Sequence, residues 1–417
     1  MHRRHFLAAG AGFFAQGSDV IKVGVIGCGG RGEAAAMNAM NAGPDVRIWA
    51  MGDLLRDRAE EKRAALKSKY PAQVDVPDAR LFGGYGCYRQ VIASGVDVVL
   101  IANAAKFHPL HMMAAIEAGK HVFVEKPHAI DPAGVRIVRQ AAALAEKKRL
   151  SVVSGLQSRY HPGYIELMEK VHSGAIGRIV AIQETWLRAP YVLYPRRPNM
   201  KEIVWQGSNQ YHFNWLCGDD VPQTLIHNLD RSSWALGDQA PLRCYGMGGR
   251  STLKGGIYGN VFDHHSVVYA FGGGVRVYAF CRTIDNCYNE NSSLILGTKG
   301  QCDLLNLTIT GENPFQSQLG KNKNPAYDLE HAALFGSIRQ SKPINNGEYM
   351  ARSTMIAVMG QMSCYTGRQI AWEQANSSSF YYPPPAAEVT EDTEAPVHPG
   401  PDGTYPVFTP GLTRLGE

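Results

Sequence analysis

The chain has 417 residues, 45% of them hydrophobic, which is enough to bury two cores and points to two or three domains of ordinary size. Its 42 basic and 37 acidic side chains leave a formal charge of +5 scattered along the sequence, which argues against a nucleic-acid footprint and favours a small or neutral ligand. Beyond the first residues no apolar run is long enough to cross a bilayer, so the mature chain is expected to be free of membrane insertion.

The sequence starts Met1-His2-Arg3-Arg4-His5-Phe6-Leu7 and continues through an apolar stretch, Ala8 to Ala15, to Gln16-Gly17-Ser18. A basic start, a short apolar segment and small residues at Ala15 and Gly17 read as a signal peptide over residues 1–17, of the twin-arginine type, with a periplasmic destination. The alternative is a disordered tail on a cytoplasmic protein.

From Val20 to Ile26 a β-branched apolar run reads as a strand, and it ends in Gly27-Cys28-Gly29-Gly30-Arg31-Gly32 before the helix-forming stretch Glu33 to Ala42. Strand, glycine turn and helix is the context that gives a GxGxxG pattern its meaning. Gly27 permits the tight turn, Gly29 lets a pyrophosphate approach the backbone, and Gly32 lets helix and strand pack closely. A second strand, Val46 to Met51, delivers Asp53 21 residues after Gly32, where a carboxylate would hold the adenosine ribose hydroxyls. That carboxylate repels a 2′-phosphate and favours NAD over NADP, although Arg56 and Arg58 could hold such a phosphate. Asp53 could instead serve only as a helix cap.

Alternation continues with strand Val96 to Ala102, helix Pro109 to Ala118, strand His121 to Val124, helix Pro132 to Lys148 and strand Ser151 to Ser154, as a doubly wound parallel sheet demands. Ligands of such sheets lie beyond the carboxyl ends of the strands, which aligns Asn103, Glu125, Lys126 and Gln157 with the glycine turn. The expected dinucleotide-binding domain is residues 18–157.

Residues 158–376 read differently. The β-rich runs Arg178 to Arg188, Leu242 to Met247, Ser266 to Phe271, Val275 to Arg282 and Leu294 to Gly297 predict a largely antiparallel sheet, with helices over Val221 to Leu236, Tyr327 to Gln340 and Tyr349 to Thr366. Residues 377–417, with Pro383 to Pro385 and an acidic stretch reaching Glu394, are poor in core residues and read as an arm that wraps a surface or a neighbouring subunit. The eight cysteines lie far apart without CxxC spacing and read as small core residues. Asp263-His264-His265 looks like a metal cluster, but neighbours on a strand face opposite ways, so no metal is expected.

Five segments together carry a family resemblance. Gly27 to Gly32, Glu117-Ala118-Gly119-Lys120-His121-Val122 and Glu125-Lys126-Pro127 resemble the Gfo/Idh/MocA nicotinamide-dependent oxidoreductases, as do Gly297-Thr298-Lys299-Gly300 and Tyr365-Thr366-Gly367. The resemblance implies NAD as cofactor, with Gly27, Gly29, Gly30, Arg31, Gly32, Asp53, Asn103, His108, Glu125, Lys126 and Gln157 as its contacts. It implies Lys126 and His227 as the pair that handles a substrate hydroxyl proton, the face of the second sheet as the carbohydrate site, and that sheet's exposed side as the contact of a homo-oligomer. On a bare reading Lys126 is a loop lysine and His227 a core histidine. Family members commonly carry an aspartate four residues before the histidine, where this chain has Gln223, which puts a simple polyol dehydrogenase in doubt. Arg159, Tyr160, Tyr211, His212 and Asn214 are candidate sugar contacts, residues equally at home on a solvated loop.

Three functions stay open. One is oxidation of a sugar, glycoside or polyol hydroxyl with retained NAD; a second is redox-neutral glycoside hydrolysis through oxidation, elimination, hydration and reduction. The third is a catalytically silent sugar-binding protein on the same fold.

Overall fold

The computed structural model describes residues 20–253, 255–321 and 325–415. The leader expected over residues 1–17 lies outside them.

Six strands form the first sheet: β1 (Ile21–Ile26), β2 (Val46–Asp53), β3 (Leu81–Gly83), β4 (Val98–Ile101), β5 (His121–Val124) and β6 (Val152–Ser154). They run parallel in the order β3-β2-β1-β4-β5-β6, the doubly wound arrangement expected from the alternation of strand and helix. Helices cover both faces, so both sides of each central strand must be apolar, and Val23, Val25, Val99 and Leu100 are almost wholly buried. The strand order reverses between β1 and β4, which opens a crevice beyond their carboxyl ends. The helix Pro132–Lys147 that follows β5 begins on Asp131, whose carboxylate accepts a hydrogen bond from Gly134 N at 2.7 Å, with proline in the first turn where no donor is lost.

Nine strands form the second sheet: β7 (Ile179–Arg188), β8 (Arg243–Gly249), β9 (His264–Ala270), β10 (Arg276–Thr283), β11 (Glu290–Gly297), β12 (Gly300–Asp303), β13 (Thr308–Gly311), β14 (Phe315–Gln316) and β15 (Ile370–Ala371). Their order is β14-β13-β12-β11-β7-β10-β9-β8-β15, and every pairing is antiparallel except that of β7 with β10. That pair runs parallel because the chain leaves β7 through a long helical excursion, residues 189–242, before it returns to the sheet.

Facing residues alternate along these strands. Cys244, Val267, Tyr269, Val277 and Ala279 are buried toward the long helix Gly347–Thr366, while Tyr245, Met247 and Tyr278 stand exposed on the other side. The same helix also packs against Pro132–Lys147, and the helix Ala326–Arg339 lies on Gly30–Asn41, so the late part of the chain closes back onto the first domain. After Ser377 regular structure among the described residues is limited to one short turn at Ala386–Glu388, and the arm runs over its own chain. Tyr382 and Tyr405 are buried, Tyr405 packs against Trp205 and Phe213, and the Glu391 carboxylate accepts a 2.7 Å hydrogen bond from Tyr85 N.

Some expected boundaries moved. The first helix begins at Gly30, three residues before Glu33, because the glycine turn supplies its first backbone turn. The segment expected as one helix from Val221 to Leu236 is a widened π turn, Val221–Leu225, followed by a helix, Ile226–Ala235. Seven of the cysteines are buried as expected of small core residues, but Cys287 is exposed.

Candidate active site

The glycine turn is built by contacts no larger residue could make. Gly27 has φ +89°, and a Cβ there would stand 2.4 Å from Asn103 N, so turn and β4 loop meet backbone to backbone. A Cβ on Gly32 would fall 1.8 Å from the Gly27 carbonyl oxygen, which fixes how closely helix and strand approach. Nothing lies within 4 Å of where a Cβ would sit on Gly29 or Gly30, so the turn presents an open backbone face at a helix N-terminus. Asp53 ends β2 beside it, where its carboxylate accepts hydrogen bonds from Cys28 N at 2.7 Å and from Leu55 N at 2.8 Å. Burial pushes the Asp53 carboxyl up, and Arg58, 3.6 Å away, works against that. Arg56 is turned to the carbonyls of Leu81 and Asp78 and to Glu60.

A cavity runs from this turn along the crevice. Gly27, Gly29, Gly30, Arg31, Asp53, Arg58 and Asn103 line it from the first domain, and Tyr194, Asn209 and Tyr211 line it from the excursion after β7. Arg58 lies over the Tyr194 ring, and Arg197 pairs with Asp57, so the second domain folds over the adenosine end of the crevice. The Arg31 guanidinium reaches Glu125 at 2.7 Å and stacks on Tyr327.

The side-chain oxygens of Asn103 and Gln157 are buried with no partner, which is costly unless a ligand supplies one. Open glycine backbone, a carboxylate in the cavity wall and two orphan amide oxygens fit an adenine dinucleotide. His108 sits behind the crevice, its ring nitrogens 2.8 and 2.9 Å from the carbonyl oxygens of Pro127 and Asn103, and braces the two loops.

Lys126 follows β5 and donates to the Gln223 carbonyl at 2.9 Å. Burial lowers its ammonium to about 8; Glu125 and Asp220 pull the other way, while Arg188 and Arg31 add to the lowering. His227 opens the helix after the π turn, stacks on Trp186 with ring centres 5.6 Å apart, and keeps Nδ1 buried without a partner. Burial and then the Lys126 charge hold it far below the ordinary histidine range, so the ring is neutral. A widened turn of this kind is frequent at functional sites, and here it places Gln223 against Lys126 and His227 within the field of the same ammonium.

The other sequence candidates are dispersed. Arg159 bridges Asp230 and Asp238 at 2.8 and 2.7 Å, and Tyr160 donates to Asn346 Oδ1 at 3.0 Å, so both hold the helices of the second domain together. Asn214 is buried in a short helix, with its backbone N donating to Asn260. Tyr211 and His212 line a second, smaller cavity beside Gln223, shared with Arg188, Tyr191 and Asp220. The sequence reading did not single out Arg188, Tyr191, Tyr194 or Asp220. Only Asp220 carried a signal, as an acidic residue in the apolar stretch after Gly218. His264 and His265 face opposite sides of β9, one exposed and the other buried against Cys281, Gln361 and Asp219.

Residues 21–154 match the family model described as Oxidoreductase family, NAD-binding Rossmann fold. Over these residues the chain is similar to the Gfo/Idh/MocA oxidoreductases.

Inositol 2-dehydrogenase of Paracoccus denitrificans is 30% identical over 223 residues, 52% of this chain and 55% of that protein. Inositol 2-dehydrogenase 3 of Saccharopolyspora erythraea is 32% identical over 221 residues, 52% of this chain and 54% of the relative. The matched part of the chain thus spans about half the length of these relatives. The fold extends further: a levoglucosan dehydrogenase in complex with NADH and levoglucosan superposes with a TM-score of 0.66 at 16% identity, over 85% of this chain and 100% of that one. GenD2 from gentamicin A biosynthesis, in complex with NAD, gives 0.65 at 17% identity over 86% and 99%. Over that length the two domains share their fold with these two structures.

Proposed function

We propose that the chain oxidises a ring hydroxyl of a sugar, glycoside or polyol by hydride transfer, with NAD held by the glycine turn, Asp53 and the amides of Asn103 and Gln157. The observation that carries this reading is the lysine after β5, held on the Gln223 carbonyl with its charge close enough to act on a neutral, buried His227. NAD would supply the hydride acceptor. The proton is the protein's work: neutral Lys126 or His227 accepts it from the hydroxyl, and the Gln223 carbonyl keeps the lysine amine in place. The inositol dehydrogenase relatives and the levoglucosan-bound neighbour support a carbohydrate or polyol as substrate.

Retention of NAD is part of the reading, supported by the residues of the second domain that close over the adenosine end. It suits an exported protein, as Arg3-Arg4 suggests, because no nucleotide pool would replace a lost cofactor. Retention is also what favours the redox-neutral alternative, in which the hydride returns to the same molecule. The exposed Tyr245, Met247 and Tyr278 support pairing of the second sheet with another subunit.

The test is turnover of sugars, glycosides and inositols by untreated protein with no added NAD. Lys126→Met and His227→Ala should each fold and lose about two to four orders of magnitude in rate. Rates within a few-fold of the parent in both variants would remove the pair from the reaction. One reduced NAD released per turnover would remove retention and leave an ordinary dehydrogenase.

A further inference from the structure

Two walls of the nucleotide cavity come from different domains, and the C-terminal arm is bonded to both. From the first domain Gly84, Tyr85, Ala104 and Phe107 line the cavity; from the second domain Gly207 and Ser208 do, on the short helix Glu202–Ser208. The walls meet at Tyr85. Its hydroxyl donates to the Ile203 carbonyl at 2.7 Å, and its ring centre lies 5.4 Å from that of Phe107. A Cβ on Gly207 would stand 2.4 Å from the same hydroxyl oxygen, so glycine there lets the two walls touch.

The arm holds the first wall in two places. At Tyr382 the backbone N donates to Asp131 Oδ2 at 3.2 Å, and the carbonyl accepts from Lys106 Nζ in the turn that carries Ala104 and Phe107. At Glu391, Oε1 accepts from Tyr85 N at 2.7 Å. The same oxygen comes so near Gly84, at φ +86°, that a Cβ there would lie 2.0 Å from it, an approach only glycine allows.

The second wall is held in three places. Asp392 pairs with Lys201, the Val397 carbonyl accepts from Gln206 Nε2 at 2.7 Å, and Tyr405 donates to Glu202 while its ring stacks on Trp205 with centres 6.3 Å apart. Glu391 and Asp392 are thus neighbours in sequence that bond to opposite walls. Between these ties Tyr382, Val389, Ala395 and Tyr405 are buried, which seats the arm independently of its charged contacts.

Among the described residues no part of the arm lines the cavity, so any effect it has on a bound nucleotide passes through the walls. Domains that face each other across a cleft move apart by default unless something ties them, and a ligand in the cleft leaves when they part.

We infer that the arm is a strap across the adenosine end of the cavity, in which Glu391 and Asp392 tie the Tyr85 loop to the helix Glu202–Ser208 and slow the release of a bound nicotinamide dinucleotide. The inference rests on the proposed binding of NAD and deepens it by naming what retains the cofactor. Both carboxylates are positioning residues, since each acts on the nucleotide only through a wall.

The test is the rate at which NADH leaves the full chain, read from the fall in bound-NADH fluorescence when loaded protein is mixed with excess NAD. Glu391→Ala combined with Lys201→Ala removes one tie from each wall. Both side chains are exposed, so the fold should survive, and release should speed about three- to tenfold. Glu391→Gln keeps an acceptor oxygen for Tyr85 N and should release NADH at close to the parental rate. Lys299→Ala removes an exposed ion pair with Glu312 at the far sheet and should leave release unchanged. Parental release in the double variant, equal acceleration in Glu391→Gln, or equal acceleration in Lys299→Ala would overturn the strap while leaving NAD binding in place. Failure of the parental protein to take up NADH would remove the proposed function and the strap with it.

Discussion

Lys126 sets the pH response. Because burial lowers its ammonium to about 8, it is protonated at pH 7 and cannot accept a hydroxyl proton until the pH approaches that value. The groups facing it are Glu125 and Asp220, which favour the charge, and Arg188 and Arg31, which oppose it. In the direction of hydroxyl oxidation kcat/KM should therefore rise with pH through a limb near 8, and Lys126→Met should abolish that limb; an unchanged limb in the variant would assign it to another group. Lys126 and the glycine turn were readable from sequence because each is a fixed backbone neighbourhood: a strand end, a short motif, a residue type. Asp220 was not, because its partners, Arg188 on β7 and Thr224 one turn on, come together only in the fold. Arg159 looked like a sugar contact for the same reason, since its carboxylate partners Asp230 and Asp238 lie more than seventy residues away.

Among the elements, the junction of β7, β11 and the helix Ile226–Ala235 has a single polar centre. Glu184 on β7 is fully buried and accepts from Asn228 Nδ2 at 2.9 Å, Ser232 Oγ at 2.7 Å and Ser293 Oγ at 2.9 Å. Glu184→Ala would orphan three donors and should cost at least about 2 kcal/mol in denaturant unfolding. Burial raises the carboxyl to about 7, with Arg231 and the three donors opposing the rise. The folded state thus holds this proton more tightly than the unfolded chain between about 4.5 and 7, so the contribution of Glu184 is greatest at low pH and fades as pH climbs through that window. A stability profile that keeps the same slope in Glu184→Ala would refute this assignment.

Many of the long elements were apparent from periodicity, β5 to the residue, because strands buried on both faces and amphipathic helices repeat a simple pattern, but the helices Arg56–Lys69, which buries only Ala59 and Leu66, and Pro162–His172 were not read. The π turn was hidden, since a change of one residue per turn leaves the apolar run of Val221 to Leu236 intact. The pairing of β7 with β10 was equally hidden, because register belongs to the sheet and not to either strand.

For the molecule as a whole, the arrangement of domains decides how firmly a dinucleotide is kept. Tyr194 comes from the excursion after β7, yet lines the nucleotide cavity and lies against Arg58 of the first domain. Tyr194→Ala should open that end and speed the loss of NAD on gel filtration by about tenfold, with Lys126 and His227 untouched. Parental retention in this variant would place the hold elsewhere in the crevice. Tyr211 has a different importance, because one ring serves as wall to both cavities. Two ligands that share a wall exchange free energy through it, and such exchange is reciprocal: whatever factor the nucleotide adds to polyol affinity, the polyol returns to the nucleotide. NAD affinity measured with and without a seated polyol should therefore change by the same factor as polyol affinity measured with and without NAD.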